Sequence, residues 1–178
     1  MSDKTESAAE KQAQGPVVRA VPEGDDRERM MCVDCGFIHY DNPRIVAGAV
    51  CTWENKILLC RRAIAPRVGF WTIPAGYLEL NETIDEGAKR EVYEESGASV
   101  EMGDFLGMFE IPRISQIYMI YQAVMTGPEL DPGPESSEAA LFDWDDIPWD
   151  ELAFPSITWA LEVYRDGGAP RFEIFRHP

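Results

Sequence analysis

A stretch of acidic residues that follows directly after a glycine is the feature that most constrains how this chain can fold. Thr83 can cap a helix through its hydroxyl, and Glu86, three residues later, can bond back to the cap. Gly97 is suited to the left-handed backbone conformation in which many helices end. The sequence therefore predicts a helix over residues 84–96.

Three carboxylates share one face of this predicted helix. Glu91, Glu94 and Glu95 stand at positions i, i+3 and i+4, which places them within an arc of about 100°. Only Lys89 and Arg90 bring positive charge to the same region. Crowded carboxylates repel one another unless a cation lies between them, and their oxygens suit Mg²⁺ or Mn²⁺. An arbitrary acidic helix face is more often simply solvated, so the spacing alone leaves both interpretations open.

The whole stretch resembles the Nudix box, which is a glycine, five residues, a glutamate, seven residues and then Arg-Glu-apolar-x-Glu-Glu-x-Gly. The matching positions are Gly76, Glu82, Arg90, Glu91, Val92, Glu94, Glu95 and Gly97. This resemblance implies that Glu91, Glu94 and Glu95 bind a divalent metal. It implies that the Gly76 carbonyl is a further ligand and that Glu94 and Glu95 serve catalysis. It also implies that Glu82 pairs with Arg90 and holds the loop against the helix.

The resemblance continues outside the box, where residues 38–43, 59–67, 71–77 and 132–138 look like the family branch that hydrolyses FAD and ADP-ribose. Within these segments Glu135 and Glu138 lie in a Pro/Gly-rich loop ahead of a strand. We assign Glu138 to catalysis and Glu135 to substrate binding, although ordinary solvation explains two loop carboxylates equally well.

Three arginines just before the box, Arg61, Arg62 and Arg67, are predicted to bind the substrate phosphates through bidentate contacts. Surface arginines that balance a very acidic chain are the alternative. Aromatic residues near the box are expected mainly in the core, with one or two available to stack on adenine or flavin. They are Phe70, Trp71, Tyr77, Phe109, Tyr118 and Tyr121.

The order of secondary structure predicts an α/β fold. Strand-like patterns cover residues 45–53 and 56–61, joined as a hairpin, and residues 100–108, 116–126 and 141–144. Apolar residues at helical spacing predict a second helix over residues 156–164. This order fits a layered α/β architecture, and the Nudix resemblance implies a mixed β-sheet sandwiched between α-helices (α/β/α).

The N-terminal segment departs from the branch that the chain resembles. We predict a mobile tail at residues 1–24, a partial zinc ribbon at residues 25–43 and a Nudix hydrolase domain at residues 44–178. The ribbon of the branch has two Cys-x-x-Cys knuckles, whereas here only Cys32 and Cys35 remain, and Lys11 and Gln14 stand at the other two positions. Because structural zinc takes four protein ligands, we expect little stoichiometric zinc.

Composition limits the partners. A net charge of −16 argues against non-specific binding to nucleic acid or to an anionic membrane. No apolar run approaches the ~20 residues of a membrane span, and the first residues lack a signal-peptide hydrophobic region, so we expect a cytoplasmic protein. The predicted partner is a small nucleoside diphosphate derivative. A homodimer is one option, because dimers are common in the family.

The function that this reading favours is an Mg²⁺-dependent pyrophosphohydrolase that cleaves the diphosphate link of FAD or ADP-ribose and releases AMP. One alternative is a pyrophosphatase for NADH, another dinucleotide or a nucleotide sugar, although residues 107–116 lack the Ser-Gln-Pro-Trp-Pro-Phe-Pro signature of NADH pyrophosphatases. A second is a non-catalytic nucleotide-sensing domain. A third is a zinc-ribbon interaction module, which the acidic charge and the shortage of zinc ligands disfavour.

Overall fold

The computed structural model describes residues 15–167 and 171–174. The chain divides into two units, Met1–Asn42 and Pro43–Pro178. In the N-terminal unit, three short antiparallel strands lie in the order β1-β2-β3, namely β1 (Val18–Ala20), β2 (Arg29–Met31) and β3 (Ile38–His39).

Strand β1 lies inside the segment predicted as a mobile tail, so the predicted boundary at residue 24 is too late. Residues 18–20 pair with residues 29–31. A strand of three residues is too short to show an alternating apolar pattern in the sequence, so only its pairing with a neighbouring strand reveals it. Lys11, Gln14 and the rest of residues 1–14 lie outside the described residues.

The second unit contains a mixed sheet and two longer helices. Its strands are β4 (Arg44–Trp53), β5 (Lys56–Arg62), β6 (Trp71–Thr72), β7 (Ala75–Tyr77), β8 (Val100–Ile111), β9 (Gln116–Met125), β10 (Ser136–Phe142) and β11 (Arg171–Ile174). The helices are α1 (Ile84–Ser96) and α2 (Pro155–Arg165). The strands lie in the order β10-β5-β4-β9-β8-β11, while β6 pairs with β5 and β7 with β4. The β4–β9 and β8–β11 pairs are parallel.

The two helices pack on opposite faces of this sheet. Successive side chains of a strand point to opposite faces, and β4 follows this rule: Ala49 and Cys51 join one buried cluster, whereas Val50 joins the other. Val92 of α1 belongs to the first cluster, and Leu161 of α2 belongs to the second. The predicted α/β/α arrangement is therefore confirmed.

Helix α1 has the predicted bounds and the predicted caps. The Thr83 backbone N–H donates to Glu86 Oε2 at 2.8 Å, and the Glu86 N–H donates back to Thr83 Oγ1 at 3.4 Å. Gly97 ends the helix with φ of 71°. These local bonds fix where the helix begins and ends, and hence where its acidic face lies.

The strand predicted at residues 141–144 begins earlier, at Ser136. It pairs along β5 with a register irregularity between Ser136 and Glu138. The Pro/Gly signal at residues 132–134 suggested a longer loop, but pairing with the neighbouring strand extends the sheet up to that signal. Glu138 consequently lies on β10 rather than in a loop. No helix in the described part of the chain is long and apolar enough to cross a membrane.

Candidate active site

A cleft of about 1150 Å³ opens beside the acidic face of α1. Its walls come from β7 and α1 on one side, from the start of α2 on another, and from the loops around residues 64–66, 111–114 and 134–135. The predicted site residues that line it are Arg62, Gly76, Arg90, Glu91, Glu94, Glu95 and Glu135. The fold therefore brings most of the predicted site into one cavity.

Arg90 ties the box loop to the helix. Its Nε and Nη2 donate to the two carboxylate oxygens of Glu82 at 3.0 and 2.7 Å, and Nη2 also donates to the Tyr77 carbonyl at 3.1 Å. The hydrogen bonds from Arg90, followed by the one from the Glu79 backbone N–H, lower the pKa of Glu82 to about 2. The expected pairing of Glu82 with Arg90 is present in the structure.

The same guanidinium also reaches the predicted metal ligands. Arg90 Nη1 donates to Glu91 Oε1 at 2.7 Å and to Glu94 Oε2 at 3.0 Å. Burial has the largest influence on the pKa of Glu91 and raises it. The hydrogen bond from Arg90 acts in the opposite direction. Across the described residues, no three His, Cys, Asp or Glu side chains already surround a common point. A cation at this face would share Glu91 and Glu94 with Arg90.

Glu95 is the buried carboxylate among the three predicted metal ligands on α1. It is 6% exposed, and its Oε2 accepts one hydrogen bond, from the Ala75 backbone N–H at 3.1 Å. Burial raises the pKa of Glu95 to about 8, and the nearby charges of Glu91 and Glu135 act in the same direction, while Arg62 opposes them. A buried carboxyl with its pKa raised in this way keeps its proton more readily, and a bound cation would favour its charged form instead.

Gly76 allows the strand that carries it to approach α1 closely. A Cβ at this position would overlap both carboxylate oxygens of Glu91. The absence of a side chain thus leaves the Glu91 carboxylate beside the backbone of β7. The Gly76 carbonyl, which is the predicted further ligand, is part of that backbone. Hard oxygen donors from one helix and one strand suit Mg²⁺ or Mn²⁺.

Glu135 enters the cleft because its loop is attached to the C-terminal end of α1 and to the end of β5. The Asp131 N–H donates to the Ser96 carbonyl at 2.8 Å, and Gly133 packs against the Glu94 carbonyl so closely that a Cβ would overlap it. On the other side, the Ala63 N–H donates to the Glu135 carbonyl at 2.8 Å. These attachments hold the Glu135 carboxylate near Glu91 and Glu95, whose pKa values it raises.

Glu138, the loop carboxylate assigned to catalysis, is not among the residues that line the cleft. Its Oε2 lies 3.5 Å from Arg61 Nε, and Arg61 Nη2 lies 3.9 Å from Glu151. The irregularity after Ser136 explains this outcome, because it changes which of the following side chains face the cleft. The structure therefore brings Glu135, and not Glu138, to the predicted metal ligands.

The three predicted phosphate-binding arginines also separate. The Arg61 guanidinium lies 4.8 Å from the Trp71 ring centroid and that of Arg67 lies 4.7 Å from the Phe70 ring centroid, and neither residue lines the cleft. Arg62 does line it, with its Nε donating to the Pro66 carbonyl at 2.8 Å.

Sequence reasoning placed Tyr77 mainly in the core, whereas the structure leaves it 45% exposed on the cleft wall. Its hydroxyl accepts hydrogen bonds from Arg44 Nη1 at 3.0 Å and from Gln116 Nε2 at 2.9 Å. The Arg44 guanidinium also lies 5.4 Å from the ring centroid. Arg44 and Gln116 are paired on β4 and β9, a contact that only the sheet register reveals. They hold an exposed aromatic ring in a fixed orientation.

The cysteines of the N-terminal unit form a tight turn. Cys32 is buried, Cys35 is exposed and both are free thiols. Hydrogen bonds from the backbone N–H groups of Cys35 and Asp34 lower the pKa of Cys32. His39 on β3 has its Nε2 3.1 Å from Asp41 Oδ1.

Comparison with known proteins agrees with this architecture. Residues 42–165 match the family model of the NUDIX domain, and residues 14–41 match the zinc-ribbon model described as Nudix N-terminal. A crystal structure of a NUDIX hydrolase from Nitrosomonas europaea superposes with a TM-score of 0.84 at 44% identity, covering 92% of this chain and 94% of that one. The chain belongs to the Nudix family, and it is a hydrolase.

Two kinds of relative have named activities. The ADP-ribose pyrophosphatase of Methanocaldococcus jannaschii is 32% identical over 119 residues, which are 65% of this chain and 69% of that protein. The NAD-capped RNA hydrolase NudC of Vibrio atlanticus is 34% identical over 122 residues, which are 67% of this chain but only 44% of that protein. The match therefore spans less than half the length of this NudC relative.

Proposed function

We propose that this protein is a metal-dependent pyrophosphohydrolase that cleaves the diphosphate link of ADP-ribose and releases AMP and ribose 5-phosphate. The observation that carries the proposal is the convergence of Glu91, Glu95 and Glu135 in one cleft beside Arg62. Carboxylates that gather at one cleft, with Glu95 buried among them, suit a cation, and an arginine beside them suits the phosphates that such a cation would also contact.

Glu91, Glu94 and Glu95 are the residues that would hold Mg²⁺ or Mn²⁺, with the Gly76 carbonyl available as a further oxygen donor. A bound divalent ion would neutralise the diphosphate oxygens and make a bound water more acidic. Arg90 orients the carboxylates of Glu91 and Glu94 through its hydrogen bonds, so these two predicted ligands are held in place without an ion.

Glu135 is our candidate for the general base. It is the one loop carboxylate of the predicted pair that lines the cleft, and its backbone is held at the end of β5. In this role a Glu135 carboxylate oxygen accepts the proton of the attacking water, and the phosphate leaving group takes a proton from solvent. This assignment moves the catalytic role from Glu138 to Glu135.

Arg62 and Tyr77 would orient two parts of the substrate, the diphosphate and the nucleobase. Arg62 offers a guanidinium to a phosphate, while the fixed ring of Tyr77 offers a flat apolar face to a nucleobase. A substrate that carries both a diphosphate and an aromatic base uses both features, as ADP-ribose does.

ADP-ribose is preferred as the substrate because it is the named substrate of the methanogen relative. NAD-type dinucleotides are the second candidate, because several NudC relatives are named for NAD-capped RNA. FAD stays a prediction of the sequence resemblance. The expected cytoplasmic location, the absence of nucleic-acid binding and the homodimer also remain predictions.

A substrate panel tests this proposal. The purified chain should release AMP from ADP-ribose in the presence of Mg²⁺ with a higher kcat/KM than from NADH, and FAD should be included as a third substrate. EDTA should abolish the reaction, and Mg²⁺ should restore it. If NADH is consumed before ADP-ribose in a competition assay, the substrate assignment is wrong, because specificity is a difference in transition-state binding.

A further inference from the structure

The first turn of α2 presents unsatisfied donors at the wall of the cleft. Phe154 caps this helix without a side-chain hydrogen bond, and Pro155 at its first position has no N–H. Ser156 follows, lines the cleft and is 2% exposed, and its Oγ has no hydrogen-bond partner among the described residues. Its backbone N–H likewise makes no bond to the described residues, whereas the Ile157 N–H donates to the Phe154 carbonyl at 3.0 Å.

Arg62 adds positive charge to the same place. Its guanidinium carbon lies 5.3 Å from the ring centroid of Phe154, the residue that begins α2. The one side-chain hydrogen bond that Arg62 makes within the described residues uses Nε, so its two terminal nitrogens keep their donors. Arg62 also opposes the rise in the pKa of Glu95, so it lies near that carboxylate as well as near Phe154.

A buried hydroxyl without a partner destabilises the protein on its own, because it loses its bonds to water and gains none. The N-terminus of an eleven-residue helix carries partial positive charge and attracts anions. These two features and an arginine with free terminal donors therefore line the same cleft, where the arginine also contacts the ring of the residue that begins the helix. An acceptor with negative charge would satisfy all three.

We propose that the first turn of α2, through the N–H and Oγ of Ser156, forms a phosphate-binding subsite together with Arg62. The ligand class is a phosphate group, because a helix N-terminus, a hydroxyl and a guanidinium together suit an anion with several acceptor oxygens. The assignment of this group to the substrate rests on the proposed function: it is the phosphate of the diphosphate that remains with the ribose 5-phosphate product. Phosphate binding itself does not depend on that function.

The test measures phosphate binding and stability in the same variants. The full chain, labelled with ¹⁵N and kept in EDTA, is titrated with inorganic phosphate, and the amide signals of Ser156 and Ile157 are followed. We expect both signals to shift, and we expect Ser156→Ala to weaken phosphate binding about tenfold. Ser137→Ala is the matched control, because Ser137 is exposed and donates to the Arg61 carbonyl at 3.2 Å, away from the cleft.

Ligand-free stability separates a binding role from a structural one. Since Ser156→Ala removes a buried hydroxyl that has no partner, we expect its Tm without phosphate to rise by about 2–4 °C. A structural hydroxyl would give the opposite result, a lower Tm with unchanged phosphate affinity. Arg62→Gln should also weaken phosphate binding, whereas Arg67→Gln should not.

Two outcomes overturn the subsite: no shift of the Ser156 and Ile157 signals, or equal phosphate affinity in wild type and Ser156→Ala. Failure of the proposed function looks different. If no diphosphate substrate is cleaved but phosphate binds as described, the hydrolase assignment falls and the subsite stands.

Discussion

The Gly133→Ala variant tests whether close contact between its loop and α1 holds Glu135, the fourth carboxylate of the site, in the cleft. A Cβ at residue 133 would overlap the Glu94 carbonyl oxygen. That oxygen belongs to the backbone of α1 and cannot rotate away, so the loop itself has to lift from the helix. Glu135, two residues later, would move with the loop.

The size of the effect follows from the contact. Overpacking against a fixed backbone atom costs about 1–3 kcal/mol, which in a chain of this size lowers Tm by roughly 2–12 °C. Because a shift of about 1 Å in a catalytic group can cost on the order of 10²-fold in rate, we expect kcat/KM to fall by that factor. The protein should remain folded, since Gly133 and Glu135 belong to neither of the two buried clusters.

Thermal unfolding and Mg²⁺-dependent AMP release from ADP-ribose measure the two effects. Gly103→Ala is the matched control, because its Cβ would lie 3.3 Å from the nearest atom, the Gln122 carbonyl oxygen, which requires only a small adjustment. A Gly133→Ala protein with lowered Tm but a normal rate would refute the claim that loop position controls Glu135.

Three further predictions concern single positions. Glu135→Gln should lower kcat by about 10²-fold, whereas Glu138→Gln should leave it nearly unchanged; equal losses in both variants would reject the general-base assignment. Tyr77→Leu should weaken AMP binding in calorimetry about tenfold while Tyr77→Phe weakens it much less, because the ring rather than the hydroxyl would contact the base. Elemental analysis should find little zinc, and one zinc per chain that is lost in Cys32→Ser would contradict this expectation.

The local features of the site could be predicted from the sequence because short-range bonds determine them. The Thr83 and Glu86 cap, the end of α1 at Gly97 and the pairing of Glu82 with Arg90 depend on fixed spacings along the chain. Asn81, which stands where many family members have glycine, adopts φ of 68°, a conformation that asparagine tolerates.

Features that depend on strand register could not be predicted in the same way. Glu135 and Glu138 are equivalent as sequence, but in the structure the attachments of its loop bring Glu135 into the cleft, and the irregular pairing of β10 with β5 turns Glu138 away from it. Arg61 and Arg62 are neighbours on β5, where successive side chains point to opposite faces, so the two cannot share one site. Ser156 gave no signal at all, because its lack of a partner is a property of the packed structure.

The most direct test of the metal-site assignment is the rate of AMP release from ADP-ribose by Glu95→Gln as a function of Mg²⁺ concentration. The variant should keep or raise its Tm, since glutamine retains the shape of a buried side chain and can still accept the Ala75 hydrogen bond. We predict a rate at least about 10²-fold below wild type at saturating Mg²⁺, while Glu101→Gln, an exposed carboxylate on β8, behaves as wild type. A Glu95→Gln enzyme with a normal rate and normal Mg²⁺ dependence would contradict the assignment.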